Sequence, residues 1–129
     1  MEADSRAGII LDSSVWIALL HKEDSQHAKA EAIFDEITAQ VFVPEYVLVE
    51  VASILRNYKR NREAQEFVKK VLEDSATFIP SGALAYETAN MFRARNDKLS
   101  FVDTSLLVLS RRYRVITFDK VLARALRAK

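Results

Sequence analysis

The stretch Leu99–Asp119, LSFVDTSLLVLSRRYRVITFD, constrains the fold more than any other part of the chain. Ser100 precedes an apolar run of Phe101, Val102, Leu106, Leu107 and Leu109 whose spacing buries much of a helix surface, with Asp103 set into it. Arg111, Arg112 and Arg114 follow where that helix presents its negative end, and Val115, Ile116 and Thr117 make a run too short and too β-branched for another helix. Asp119 comes at once. In an open parallel sheet, strand ends and neighbouring helix starts face one crevice, so Asp103 and Asp119 are expected to face each other there.

The rest of the chain repeats the alternation. Ile9, Ile10 and Leu11 form an apolar run suited to a central strand buried on both faces, Asp12 ends it, and Ser13 and Ser14 open an apolar helix. A second helix is predicted over roughly Ser25 to Thr38, then a strand at Val41–Val43, with Pro44 in the first turn of the next helix, which runs to about Asn57. A basic turn, Asn57 to Arg62, leads to a helix from about Glu63 to Glu73. Thr77–Ile79 is a third strand, Ala83 to Arg95 a helix, and Val121 to Arg127 the last one. Four short apolar strands alternating with helices predict an α/β domain with a mostly parallel sheet in a three-layer arrangement. Residues 1–129 read as one domain, with residues 1–8 a loose lead-in.

Composition narrows the chemistry. The chain has no cysteine and two histidines six residues apart, which removes disulfides and thiolate metal sites and leaves little for zinc, while oxygen-liganded metals remain. His21 and His27 lie on a polar segment, and no serine and acid are placed to complete a nucleophilic triad with either. The polar start MEADSRAG lacks the apolar centre of a secretory signal and no run approaches a membrane span, so a cytoplasmic protein without a membrane partner is expected. A net charge of +1 predicts no nucleic-acid binding by itself, but acids gathered in one cleft would leave the remaining surface more basic than the sum.

Four acids stand out, each with an ordinary explanation beside a functional one. Ser100 and Asp103 fit the S-x-x-D capping box, and Asp119 and Asp12 suit the N-caps of the helices that follow them. Glu50 sits mid-helix on the face of Val47 and Ile54, where capping has no role and the ordinary explanation is a buried salt bridge to an arginine. Taken together, Asp12, Asp103 and Asp119 fall where strands end or helices begin on one sheet edge, and Glu50 points inward from a neighbouring helix. Carboxylates brought close repel one another unless a cation is present, and Mg²⁺ or Mn²⁺ bound by oxygen ligands activates water and neutralises charge on a phosphodiester.

These residues carry a resemblance. The segments LDSSVWIALL, VPEYVLVEVASIL, LSFVDTSLLVLSRR and VITFD, in this order and over about residues 9 to 126, resemble PIN domains, close to the VapC-type toxins of toxin–antitoxin pairs. The resemblance implies a PIN-like fold of three layers, with a central, mostly parallel sheet of four or five strands flanked by helices. It places the family's acidic quartet on Asp12, Glu50, Asp103 and Asp119, as catalytic and metal-binding residues, and its supporting polar residues on Ser14 and Thr117. It further implies an endoribonuclease using one or two Mg²⁺ or Mn²⁺ ions, an RNA substrate, a homodimer and an antitoxin protein partner. Many relatives have a further strand after the last helix, which this chain, ending at Lys129, would lack.

Other features have two readings each. Arg56, Arg60, Arg62 and Arg112, in the basic groups that also hold Lys59, Arg111 and Arg114, are candidate contacts for an RNA backbone or solvated helix ends. Trp16 and Tyr46 suit a core or an interface as well as a base stack, and Glu45 and Asp97 are reserve metal contacts or turn and helix-start acids. Two rivals to the nuclease reading stand beside it: a PIN-like module that binds RNA or protein without cutting, and a DNA-directed nuclease of related architecture.

Overall fold

The computed structural model describes residues 6–128. The chain runs β1 (Gly8–Leu11), α1 (Ser13–Leu20), α2 (His27–Glu36), β2 (Val41–Pro44), α3 (Glu45–Asn57) and α4 (Asn61–Glu73). It continues through β3 (Phe78–Ile79), α5 (Gly82–Ala94), α6 (Phe101–Leu109), β4 (Tyr113–Ile116) and α7 (Lys120–Ala128). Among the described residues the strands form one four-stranded parallel sheet in the order β3-β2-β1-β4.

β1 shows why a short apolar run is enough. Ile10 belongs to one core with Val47, Val51, Leu106 and Leu109, while Ile9 and Leu11 belong to another with Val15, Ala18 and Ala30. Side chains alternate across a strand, so cores on both faces of β1 mean helices on both faces of the sheet, the expected three layers. α6 is buried from Thr104 to Leu109. The Thr104 and Ser105 hydroxyls inside it donate to the Ser100 and Val102 carbonyls at 2.8 and 2.5 Å, so neither is left unpaired.

Element ends moved where pairing overrode local signals. β4 begins at Tyr113 because it pairs in register with β1, Gly8 opposite Tyr113 and Leu11 opposite Ile116, which leaves Thr117 just beyond the strand. Pro44 pairs with Ile79 as the last residue of β2, and α3 starts after it. Gly8 is strand rather than lead-in, and Ala7 N–H already donates to the Arg112 carbonyl at 2.6 Å. The first five residues of the expected lead-in lie outside the described residues. A Cβ on Gly8 would stand 2.6 Å from the Phe42 ring and 2.7 Å from the Gln40 carbonyl oxygen, because Phe42 and Tyr113 close over it with ring centroids 4.9 Å apart.

The basic turn is shorter than its charge run suggests, since α4 starts at Asn61. Arg60 N–H donates to the Leu55 carbonyl at 2.8 Å and Lys59 N–H to that of Arg56 at 3.0 Å. This is a Schellman termination with Lys59, at φ 60°, in the left-handed position that glycine usually takes.

Strand order places the crevice. From β1 the chain steps outward through β2 to β3, then α5 and α6 carry it back to β4 on the other side of β1. The reversal falls between β1 and β4, and in open α/β sheets the ligand crevice lies outside the carboxyl ends of the strands at such a point.

Candidate active site

Asp12 and Thr117 stand where β1 and β4 end, joined by a hydrogen bond of 2.9 Å from Asp12 N–H to the Ile116 carbonyl. Asp12 is 4% exposed, so its carboxylate takes its donors from the protein. Ser13 N–H donates to Oδ1 at 2.7 Å, and Ser14 Oγ and Thr117 Oγ1 donate to Oδ2 at 2.9 and 2.6 Å. Each hydroxyl is aimed by a proton it accepts. Phe118 N–H donates to Ser14 Oγ at 3.0 Å, and Asp119 N–H to Thr117 Oγ1 at 2.9 Å. The loop after β4 is thereby fastened to Asp12.

Glu50 lies half-buried on the cleft wall, and Ile54 and Tyr58, at successive helical turns of the same α3 face, line the wall with it. The face is the expected one, but it borders the cleft instead of closed core. Its partner is a hydroxyl rather than an arginine: Ser13 Oγ donates to Glu50 Oε1, and stands 3.4 Å from Asp12 Oδ1. Ser13 therefore bridges the two acids. Its only trace in the sequence is the Ser-Ser doublet after Asp12.

Asp103 joins the cap of its helix and lines the cleft with the other acids. Its N–H is capped by Ser100 Oγ at 3.0 Å in the first turn of α6. Burial pushes its carboxyl above the usual carboxylate range, the charge of Asp12 pushes further and Asp119 adds a smaller push, while hydrogen bonds from Ser100 pull the other way. Asp119 also caps, its Oδ1 accepting Leu122 N–H at 2.9 Å, and it stays exposed.

Asp12, Glu50, Asp103 and Asp119 line one cleft of about 400 Å³, together with Ser13, Ser14, Asp24, Gln26 and Tyr58. They share it without closing on one another: among the described residues, no three His, Cys, Asp or Glu side chains converge as a ready-made metal shell. Asp24 and Gln26 come from the α1–α2 loop, a segment whose polar residues read as a helix start, and Tyr58 caps α3. None of these three cleft residues stands in a local sequence pattern that announces a site.

The arginines fall elsewhere. Arg60 binds Glu23 through its guanidinium and donates from Nε to His21 Nδ1 at 3.2 Å. Arg62 Nε stands 3.6 Å from Glu66 on the exposed face of α4. Arg56 borders a separate groove with Ala52, Ala64 and Val68, away from the face that carries Glu50. Arg112 precedes β4, so the four residues of that strand, about 13 Å of extended chain, separate it from Thr117 at the cleft edge. Of the reserve acids, Glu45 Oε1 accepts Ser81 N–H and Oγ at 2.9 and 3.0 Å, tying α3 to the start of α5. Asp97 is held by Arg95, whose hydrogen bond lowers its carboxyl below the usual range. Trp16 packs its ring edge on Phe67 at 5.0 Å between centroids, and Tyr46 on Phe101 at 5.8 Å, so both are packing residues.

Comparison with known proteins agrees with this architecture. The PIN domain family model matches residues 9–127. No curated protein sequence matches the chain. Among solved structures, the chain is similar to Mycobacterium tuberculosis VapC20, described as a sarcin-ricin loop cleaving toxin, with 23% identity, a TM-score of 0.77, and 91% of this chain and 94% of that one covered. At that identity the likeness is one of fold. The family match runs from β1 through α7 and takes in the whole cleft, and so this chain belongs to the PIN domain family.

Proposed function

We propose that the chain is a divalent-metal-dependent endoribonuclease that hydrolyses RNA phosphodiesters, the toxin of a VapBC-type toxin–antitoxin pair. The supporting observation is the company Asp103 keeps, a half-buried carboxyl facing Asp12 and Asp119 in a cleft that Glu50 also enters. Like charges gathered in a ligand crevice cost stability unless a cation is there to be held. The fold shared with a sarcin-ricin loop cleaving toxin supports RNA as the substrate.

The donor set fits Mg²⁺ or Mn²⁺. It is all oxygen and mostly carboxylate, and its acids are spaced by hydroxyls, which suits ions that keep several waters better than a closed cage would. Asp12, Asp103 and Asp119 would hold one or two ions, with Glu50 a further ligand or the group that orients the attacking water. When bound, the metal supplies a water of lowered pKa and charge neutralisation at the leaving oxygen. The chain's own residues do the positioning. Ser14 and Thr117 fix Asp12 against rotation, and Ser13 holds Glu50 beside it.

Asp12→Asn should abolish Mn²⁺-dependent cleavage of total RNA while leaving the thermal melt cooperative. Full cleavage by Asp12→Asn refutes the mechanism. A second reading, a PIN module that binds without cutting, draws on the caps that Asp103 and Asp119 join. It predicts wild-type protein that leaves total RNA intact and melts at one temperature with or without Mn²⁺. A single-stranded DNA of the same sequence, offered beside the RNA, tests the DNA-directed variant. An antitoxin protein, a homodimer and a cytoplasmic location belong to the toxin proposal. Among the described residues no helix is long and apolar enough to cross a membrane.

A further inference from the structure

One part of the cleft wall, formed by Asp24, Gln26 and Tyr58, has no part in the chemistry above. Tyr58 is 53% exposed, yet its ring is braced: His21 stacks on it with centroids 4.8 Å apart and planes 10° from parallel. His21 is not part of the cleft wall, and is itself held from behind. Arg60 Nε donates to its Nδ1 at 3.2 Å, and the same guanidinium binds Glu23 in the α1–α2 loop. That loop is closed on itself, Gln26 N–H donating to Asp24 Oδ1 at 2.8 Å and Asp24 N–H to the His21 carbonyl at 2.9 Å. The guanidinium that charge alone would assign to a phosphate is engaged in holding an aromatic ring at the cleft.

An aromatic ring stacked on one side by an imidazole keeps a flat apolar face for a ligand at little further loss of side-chain freedom. Gln26 lines the same cleft, and its amide carries both a donor and an acceptor. Asp24 makes the wall unsuited to a phosphate, since an anion there would meet a carboxylate. A flat stacking face, an amide edge and an adjoining cluster of acids suit a nucleobase attached to a phosphodiester.

We propose that Tyr58 and Gln26 form a nucleobase subsite for a nucleotide next to the scissile phosphate, with His21 and Arg60 as the positioning residues that hold the Tyr58 ring. This deepens the endoribonuclease reading and rests on it for the polymer that carries the base. Tyr58 binds by stacking, so its phenol hydroxyl is dispensable and its ring is not.

The test measures binding of a labelled short single-stranded RNA, and of an abasic ribose-phosphate strand of equal length, with Ca²⁺ in place of Mg²⁺ to suppress cleavage. Wild type should prefer the base-bearing strand, and Tyr58→Ala should weaken that strand about tenfold or more while leaving the abasic strand unchanged. Tyr58→Phe should bind as wild type, and His21→Ala should fall between. Equal affinity of Tyr58→Ala and wild type for the base-bearing strand overturns the subsite, as does an equal loss on both strands. Cleavage of total RNA in Mn²⁺, run on the same proteins, separates the two claims. Wild type that binds bases through Tyr58 but does not cut keeps the subsite and sinks the nuclease, and the opposite result does the reverse.

Discussion

Two crevices of similar size border β1 and β4. The one at the carboxyl ends of β1 and β4, about 400 Å³, is lined by Asp12, Glu50, Asp103 and Asp119. The other, about 430 Å³ and beside the start of β1, is lined by Arg6, Arg114 and Glu36 among apolar neighbours. Helix polarity sorts the charge. α1, α6 and α7 begin at the first edge, and N–H groups of α1 and α7 serve acids directly, as Ser13 N–H does for Asp12 and Leu122 N–H for Asp119. α2 and α6 end toward the other edge, where Arg111, Arg112 and Arg114 suit the carbonyl ends of helices. A net charge of +1 conceals this division. Capping and the proposed ion binding are therefore not exclusive, because helix starts gathered at one edge are what let acids stand together there.

The contrast between the two edges breaks or sharpens by mutation. The largest effect is expected in catalysis: Asp103→Asn should lower RNA cleavage at least about 100-fold, while Arg114→Gln at the other crevice leaves it unchanged. An Arg114→Gln enzyme as inactive as Asp103→Asn would end the distinction. Next in size is the metal response. Mg²⁺ at about a hundred times its dissociation constant should add about 2.7 kcal/mol to stability in urea titrations, and Asp12→Asn should remove most of that gain.

Backbone substitutions probe packing, at the second edge for Gly8 and away from it for Gly82 and Lys59. Gly8→Ala should cost about 1–3 kcal/mol, because its methyl would meet the Phe42 ring and the Gln40 carbonyl. Gly82→Ala, with open space around it, should be neutral or stabilising by up to about 1 kcal/mol in the same urea titration. Lys59→Gly relieves a left-handed residue and should add about 1 kcal/mol.

The smallest effect is in pH. Asp103 has its folded pKa raised above 3.8, so in the window between that value and the raised one the folded state binds more protons than the unfolded. The penalty is then absent below the window, grows as pH rises through it, and is full above it. Asp103→Asn should be more stable than wild type at neutral pH, and the gap should close as pH falls toward 3.8. A gap that widened on acidification would show that Asp103 is stabilised as a carboxylate.

Much of the architecture was legible in the residues. Ile9–Leu11 announced a strand buried on both faces, and LSFVDTSLLVLS a helix sunk in the interior, because periodicity and apolar content are properties of a few consecutive positions. Asp12, Glu50, Asp103 and Asp119 were legible as a group because each adjoins a readable boundary or violates a readable face. Ser13, Asp24, Gln26 and Tyr58 were not, since a serine in a doublet or a tyrosine at a helix end looks the same on any surface. The arginines divide for the same reason: Arg60 and Arg112 are alike in composition, yet one braces His21 and the other precedes β4 at the far end of the strand.

The sequence by itself determined the order of strands and helices, the parallel character of the sheet and the placing of acids at strand ends, because propensity, capping and alternation act within a turn or two of the chain. Only the tertiary structure decided which side chains meet. Ser13 reaches Glu50, His21 stacks on Tyr58 and Arg60 binds Glu23 across separate elements. Those contacts depend on the rotation of α3 against α1 and on the crossover that returns the chain beside β1, and both are set by packing of the whole core rather than by any local run of residues.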